Sequence, residues 1–209
     1  MSLKAVLFDL DGVLIDTEGI YTEFWANIDR KYPTGVENFA LVIKGTTLSD
    51  ILERYFPASE IQMEIRRTLK EFEEEMPYVF FDGAEDLLRL LKTRHISTAI
   101  VTSSNRAKMG KVYGRLPILG EMIDTLVTDE DVSESKPDPE GYLLAAGRLG
   151  AESGEFAVVE DSMHGLEAGR RSGGYVVGIA TTNPREKVVE RADYVGDTVA
   201  DIAEYLLSL

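Results

Sequence analysis

The sequence predicts an α/β fold: a mostly parallel sheet with helices on both faces and a helical cap inserted after the first strand. Two patterns point to it. Short apolar, often β-branched runs recur along the 209 residues, each followed by a helical pattern or a loop. Residues 17–79 interrupt that alternation with helical stripes alone. A third feature locates the chemistry. Aspartates at 9, 11 and 16 stand just beyond the first apolar run, and unpaired buried carboxylates are costly unless cations, hydrogen bonds or solvent receive them.

Leu3–Phe8 reads as the first strand. In the insertion, Ile20, Phe24 and Ile28, flanked by Tyr21 and Trp25, form one amphipathic stripe, and Leu48, Ile51, Leu52 and Tyr55 form a second. Ser59-Glu60-Ile61-Gln62 reads as a capping box that opens a third helix running to about Met76, with Glu71, Glu73, Glu74 and Glu75 facing solvent. Phe80-Phe81-Asp82-Gly83 returns the chain to the sheet. Further strands are expected at Ile96–Val101, Thr125–Val127, Glu155–Val159 and Tyr175–Ile179, with a weaker one near Tyr194–Val195. The helices between and after them fall at Ala84–Lys92, Arg106–Tyr113, Pro139–Leu149, Gly165–Ser172, Arg185–Arg191 and Val199–Leu207. Asp82 with Glu85 reads as a capping box, and Asp138 as a capping acid ahead of a first-turn proline, Pro139. The expected layout is a Rossmann-like core of residues 1–16 and 80–209 with a cap of residues 17–79. Such a cap sits over the ligand crevice at the carboxyl ends of the strands.

Composition narrows the function classes. A 44% hydrophobic content is enough for a substantial core. The net charge of −15, from 37 acidic and 22 basic residues, argues against nucleic acid and anionic membrane as partners but leaves room for a local cationic pocket. Without cysteine the chain has no disulfide, thiol nucleophile or thiolate ligand. Met1–Lys4 runs into the first strand with no charged leader or long apolar segment, so a cytoplasmic location is expected. No feature specifies an oligomeric state.

Asp9 and Asp11, two residues apart at a strand end, can serve one pocket if the chain stays extended, and Gly12 then permits close backbone approach. Two acids attract a phosphate dianion only if a divalent cation and positive donors offset them, so the pair implies either a metal or a protonated member. An aspartate can be a nucleophile through an aspartyl-phosphate, and a second acid can move protons at the ester oxygen and at water.

The stretch DLDGVLIDT at 9–17 resembles the first motif of the haloacid-dehalogenase-like phosphohydrolases. The similarity continues through VTSSN at 101–105, SKPDPEGY at 135–142 and VVEDSMHGLEAG at 158–169, in family order. Within that superfamily the insertion resembles the cap of the beta-phosphoglucomutase and phosphoglycolate-phosphatase branch. The resemblance makes Asp9 the nucleophile and Asp11 the general acid/base. It makes the Thr102 hydroxyl and the Ser103 backbone N–H phosphoryl ligands, and Lys136 the cation that contacts both Asp9 and the phosphoryl group. It assigns a magnesium ion to the Asp9 side chain, the Asp11 backbone carbonyl and Asp161, with Glu160 as a ligand or outer-shell group. Thr17 matches a hinge residue, whereas Asp16 is as readily a helix cap. His164 is expected to be structural or solvent-facing.

The chain departs from the mutases in the cap. Those enzymes carry a histidine at the position of Tyr21 and a phosphate-gripping arginine at the position of Leu48, while Lys44 and Gly45 are retained. Leucine offers no bidentate contact to a second phosphate, and tyrosine does not titrate near neutrality. Hydrolysis of a small, sugar-phosphate-like phosphomonoester is therefore the expected function, with Tyr21, Lys44 and Gly45 as candidate cap contacts. A mutase-like phosphotransferase is the enzymatic alternative, and a non-catalytic phosphometabolite-binding module the other.

Overall fold

The computed structural model describes residues 3–209; residues 1 and 2, the start of the Met1–Lys4 stretch, lie outside the described residues. After β1 (Ala5–Phe8) come the cap helices α1 (Glu18–Lys31), α2 (Phe39–Val42), α3 (Leu48–Tyr55) and α4 (Ser59–Glu75). The chain then forms α5 (Ala84–Thr93), β2 (Ser97–Val101), α6 (Arg106–Arg115), α7 (Ile118–Met122), β3 (Thr125–Val127) and a 3-10 turn at Asp129–Asp131. It closes with α8 (Glu140–Arg148), β4 (Phe156–Glu160), α9 (Met163–Arg171), β5 (Tyr175–Ile179), α10 (Arg185–Val189), β6 (Tyr194–Gly196) and α11 (Val199–Ser208). None of these helices is long and apolar enough to cross a membrane.

The strands form one parallel sheet in the order β3-β2-β1-β4-β5-β6. The chain builds outward from β1 through β2 to β3, then returns to the other side of β1 for β4. The loops after β1 and β4 therefore flank the topological switch point, where parallel sheets bind ligands. Register keeps them level, because Phe8 pairs with both Ile100 and Val159. Side-chain alternation divides the core between the two faces. Val6, Phe8, Ile100 and Val159 pack against Leu88 and Leu91 of α5, Val112 of α6 and Ile202 of α11. Ala5, Leu7, Ala99 and Val158 pack on the other side against Tyr142, Ala145 and Ala146 of α8. The cap has its own apolar cluster, built on Phe24, Trp25, Phe39, Leu52 and Ile65.

Several local expectations are corrected. Ser59 is the first residue of α4, after Ala58, and makes no cap bond. Gly83, with φ of 84°, precedes α5 in place of an Asp82 cap, because its left-handed turn already sets the entry angle. Pro139 lies just before α8, whose Glu140 amide is capped by the Asp138 carboxylate at 2.9 Å. Asp16 is exposed and caps nothing among the described residues. Glu73, expected to face solvent, is buried on the inner face of α4 because Tyr21 and Lys111 both reach it.

The turn after β3 is held by Asp131. Its Oδ2 accepts from the Thr128 amide at 3.0 Å and hydroxyl at 2.9 Å, while Oδ1 meets Arg106 at 2.9 Å and Arg148 at 3.1 Å. Burial alone would raise this carboxyl, but the Thr128 bonds and the two guanidinium groups hold it at about 2. A depressed carboxyl contributes stability above its unfolded value of about 4, and that contribution disappears as pH falls through its folded value. Asp131→Asn is expected to cost about 1–2 kcal/mol at pH 7, discounted for the exposed arginines, and less as pH falls toward 3. Urea midpoints of both proteins at the two pH values check this. A gap that does not narrow in acid would contradict it.

Candidate active site

β1 ends by delivering Asp9 beside β4, where its backbone N–H donates to Val159 O at 2.9 Å. The loop after β3 brings in Lys136, whose Nζ lies 2.5 Å from Asp9 Oδ1, 2.6 Å from Glu160 Oε1 and 3.0 Å from Val101 O. Burial would lower this ammonium, yet Asp9 and Glu160 hold it above the ordinary lysine range. Glu160 is fully engaged. Its Oε1 also accepts from the Tyr142 hydroxyl at 2.8 Å, and its Oε2 accepts from the Asp161 amide and from the Ser162 amide and hydroxyl. The Lys136 ammonium and these donors keep its carboxyl below the usual range despite burial.

Asp9 and Asp161 are less well compensated. Burial pushes the Asp9 carboxyl up to about 8 against the pull of Lys136, with Glu160 and Asp11 adding to the rise. Burial likewise lifts Asp161 well above the carboxylate range, helped by Glu18, Glu160 and Asp9. Asp161 Oδ2 is buried and has no hydrogen-bond partner among the described residues. Ligand oxygens of Asp9, Glu160 and Asp161 lie within 4.8 Å of one another. A buried group of acids with one orphaned oxygen and too little positive charge fits a hard divalent cation. The backbone beside it is shaped for close approach. Gly12 has φ of 82°, and a Cβ there would lie 2.1 Å from Asp161 Oδ2.

Asp11 lies apart from that acidic cluster. Its Oδ1 accepts from the buried Thr17 hydroxyl, and its Oδ2 from Lys108 Nζ at 2.6 Å and Ser104 Oγ at 3.2 Å. Thr102 directly follows β2, its hydroxyl accepting from the Ser104 amide at 3.1 Å. Asn105 caps α6 through the Lys108 amide. A cap loop is tied to this face: Ser103 Oγ donates to Gly45 O at 2.8 Å, and His164 Nδ1 to Lys44 O at 3.0 Å. Between cap and core lies a cleft of about 120 Å³, lined at one end by Asp9, Asp11 and Thr102 and toward the cap by Glu18, Tyr21 and Lys44.

The structure thus gathers Asp9, Thr102, Lys136, Glu160 and Asp161 at the strand ends, with Ser103, Asp11 and Thr17 beside them. Tyr21, Lys44 and Gly45 reach the same cleft from the cap. Sequence reading passed over Lys108, Ser104, Tyr142 and Glu18. Lys108 read as one more polar position on a short helix, although it stands three residues after the Asn105 cap and so faces back toward the strand ends. Tyr142 lay inside the quoted SKPDPEGY segment without a stated role.

The model of the haloacid dehalogenase-like hydrolases matches residues 6–179. The chain is 33% identical over 195 residues to a validoxylamine A 7'-phosphate phosphatase of Streptomyces hygroscopicus subsp. limoneus, covering 90% of each. It is 32% identical over 178 residues to a phosphorylated carbohydrates phosphatase of Thermotoga maritima, covering 82% of each. Among solved structures, a beta-phosphoglucomutase of Clostridium difficile superposes with a TM-score of 0.83 at 22% identity, covering 99% of this chain and 96% of that one, a likeness of fold alone. With the motif order, the sheet topology and the buried acidic cluster, these matches place the chain in the haloacid dehalogenase-like hydrolases.

Proposed function

We propose that the protein is a magnesium-dependent phosphatase of small, sugar-phosphate-like monoesters, working through an aspartyl-phosphate on Asp9. The observation that carries this reading is the pairing of a lysine-bound Asp9 with the orphaned Asp161 carboxylate at the sheet's switch point. The two curated relatives, named for validoxylamine A 7'-phosphate and for phosphorylated carbohydrates, support the substrate class. The acidic balance of the chain supports a small soluble metabolite as partner, with neither nucleic acid nor membrane involved, and the absence of cysteine fits a cytoplasmic setting. The division we propose is a core of residues 1–16 and 80–209 and a cap of residues 17–79, supported by the cap's separate apolar cluster.

Asp9 attacks phosphorus in line with the leaving oxygen, and Asp11 supplies that oxygen with a proton. Water then attacks phospho-Asp9 while Asp11 takes its proton back. Thr102, the Ser103 N–H and Lys136 hold the phosphoryl oxygens, supplying donors that need no reorganisation. Magnesium, held by Asp9, Asp161 and the Asp11 carbonyl, would neutralise phosphoryl charge when bound. Glu160, saturated by donors, acts from outside that ligand set by holding Lys136. Neither Tyr21 nor Leu48 supplies the second-phosphate contacts that a mutase needs.

Phosphate release from a panel of monoesters, with magnesium and with chelator, tests the reading. Turnover is expected only with magnesium. At a hundred times its dissociation constant the ion should add about 2.7 kcal/mol of stability, roughly 5–10 °C in Tm for a chain of this size. Asp161→Asn should abolish both effects. Undiminished turnover in chelator, or a Tm indifferent to magnesium, would overturn the assignment.

A further inference from the structure

Among the described residues, only two cations line the cleft, Lys44 and Lys108, and each already has a carboxylate. Lys108 is held by Asp11 at 2.6 Å, with side-chain exposures of 4% and 13%. Lys44 Nζ lies 2.5 Å from Glu18 Oε2, with exposures of 9% and 19%. A third cation just behind the lining, Lys111, approaches Glu73 at 3.4 Å, and Tyr21 donates to the same carboxylate at 3.0 Å. Asp129 lines the cleft as well, and its buried Oδ1 has no partner among the described residues.

The lining of the cleft therefore carries more carboxylates than ammonium groups. Glu18, Glu73 and Asp129 line it, and among the described residues neither cation of the lining is unpaired to meet a second anion. A carboxylate or second phosphate entering here would lose its hydration without gaining an ion pair, a large cost in a partly buried site. A hydroxyl or an ammonium finds the opposite situation, with carboxylate acceptors available for charge-assisted hydrogen bonds. Aromatic and aliphatic walls from Trp25, Leu48 and Ile51 add contact area without charge.

Resting on the phosphatase reading above, we propose that the cleft selects substrates by charge, taking phosphomonoesters whose leaving group is neutral or cationic. The Glu18–Lys44 pair is the selecting element. Lys44 is the cation best placed to greet a second anion, because its loop is tied to the core at the Lys44 and Gly45 carbonyls. Glu18, at the first turn of α1, cancels it. Removing the Glu18 charge without changing its shape should free Lys44 and admit anionic leaving groups.

Three monoesters of similar size that differ in the far group make the test: 2-hydroxyethyl phosphate, phosphoethanolamine and phosphoglycolate. Each is used as a competitor of magnesium-dependent p-nitrophenyl phosphate hydrolysis. In the wild type, the inhibition constant of phosphoglycolate should be weaker than those of the other two by about tenfold or more, the scale of one charge-assisted contact. Glu18→Gln should close that gap, and Glu18→Gln/Lys44→Met should reopen it. Because each comparison is a ratio within one protein, a loss of folded material cancels. Equal constants in the wild type, or a gap unmoved by Glu18→Gln, would overturn charge selection. A wild type that releases no p-nitrophenol defeats the phosphatase reading instead. The same three ligands are then ranked by thermal shift with magnesium, where weaker phosphoglycolate binding supports the selection and equal binding overturns it.

Discussion

Asp9→Asn is expected to abolish phosphate release, by at least about 10⁴-fold, while leaving the protein folded, since deleting a nucleophile removes the covalent route altogether. The amide has the shape of the carboxylate but no electron pair basic enough to attack phosphorus. Folding should survive because the substitution removes a charge that burial already disfavours: the Asp9 carboxyl stands at about 8, and Lys136 keeps Glu160 as a partner. Asp11→Asn should fail differently. With p-nitrophenyl phosphate the leaving phenolate needs no proton, so Asp9 can still be phosphorylated and only the hydrolysis step lacks its base. A burst of p-nitrophenol close to one equivalent of enzyme, with the phosphoryl group retained on the protein by intact mass, is the expected result for Asp11→Asn, and no burst at all for Asp9→Asn. Steady turnover by Asp9→Asn within tenfold of the wild type would remove the nucleophile from the mechanism.

The parts of the site that rest on strand ends were legible in the sequence, because an acid immediately after a buried strand leaves few alternatives. Asp9 after Ala5–Phe8 and Asp161 after Phe156–Glu160 sit where the alternation of runs placed them. The order of the strands was not readable from any run, since all are short, apolar and β-branched. That the loops after β1 and β4 converge follows from the chain crossing back beside β1. Side chains that act across elements were the least visible. Lys108 contacts Asp11 from a helix distant in sequence, and its burial depends on Tyr21, whose ring centroid lies 4.4 Å from the ammonium. Glu73 was misread for the same reason. In a run of acids on one helix, only the partners Tyr21 and Lys111 distinguish the buried one. Local capping also gave way to tertiary geometry at Asp82, where Gly83 takes over the turn.

Lys136→Met should be the most destabilising single change at the site. The side chain fits in length but takes away the one cation shared by two buried carboxylates, Asp9 and Glu160. Breaking a buried pair from one side costs about 3–5 kcal/mol, because the charge left behind is neither solvated nor paired. For a chain of this length that corresponds to a fall in Tm of roughly 10 °C, a large part of a typical margin of stability. Glu160 retains the Tyr142 hydroxyl and the donors at positions 161 and 162, so at pH values above the Asp9 value of about 8, where Asp9 is ionised beside Lys136, the larger share of the loss should come from Asp9, which has no comparable set. Lys136→Met/Asp9→Asn should therefore recover more of the lost stability than Lys136→Met/Glu160→Gln, and magnesium should recover part of it in Lys136→Met alone by facing Asp9 with positive charge. Chemical denaturation of these proteins in a double-mutant cycle reads the two couplings separately. Equal recovery from the two second changes would show that Lys136 serves mainly as a packing element beside Tyr142, and would separate its structural contribution from any hold on the nucleophile.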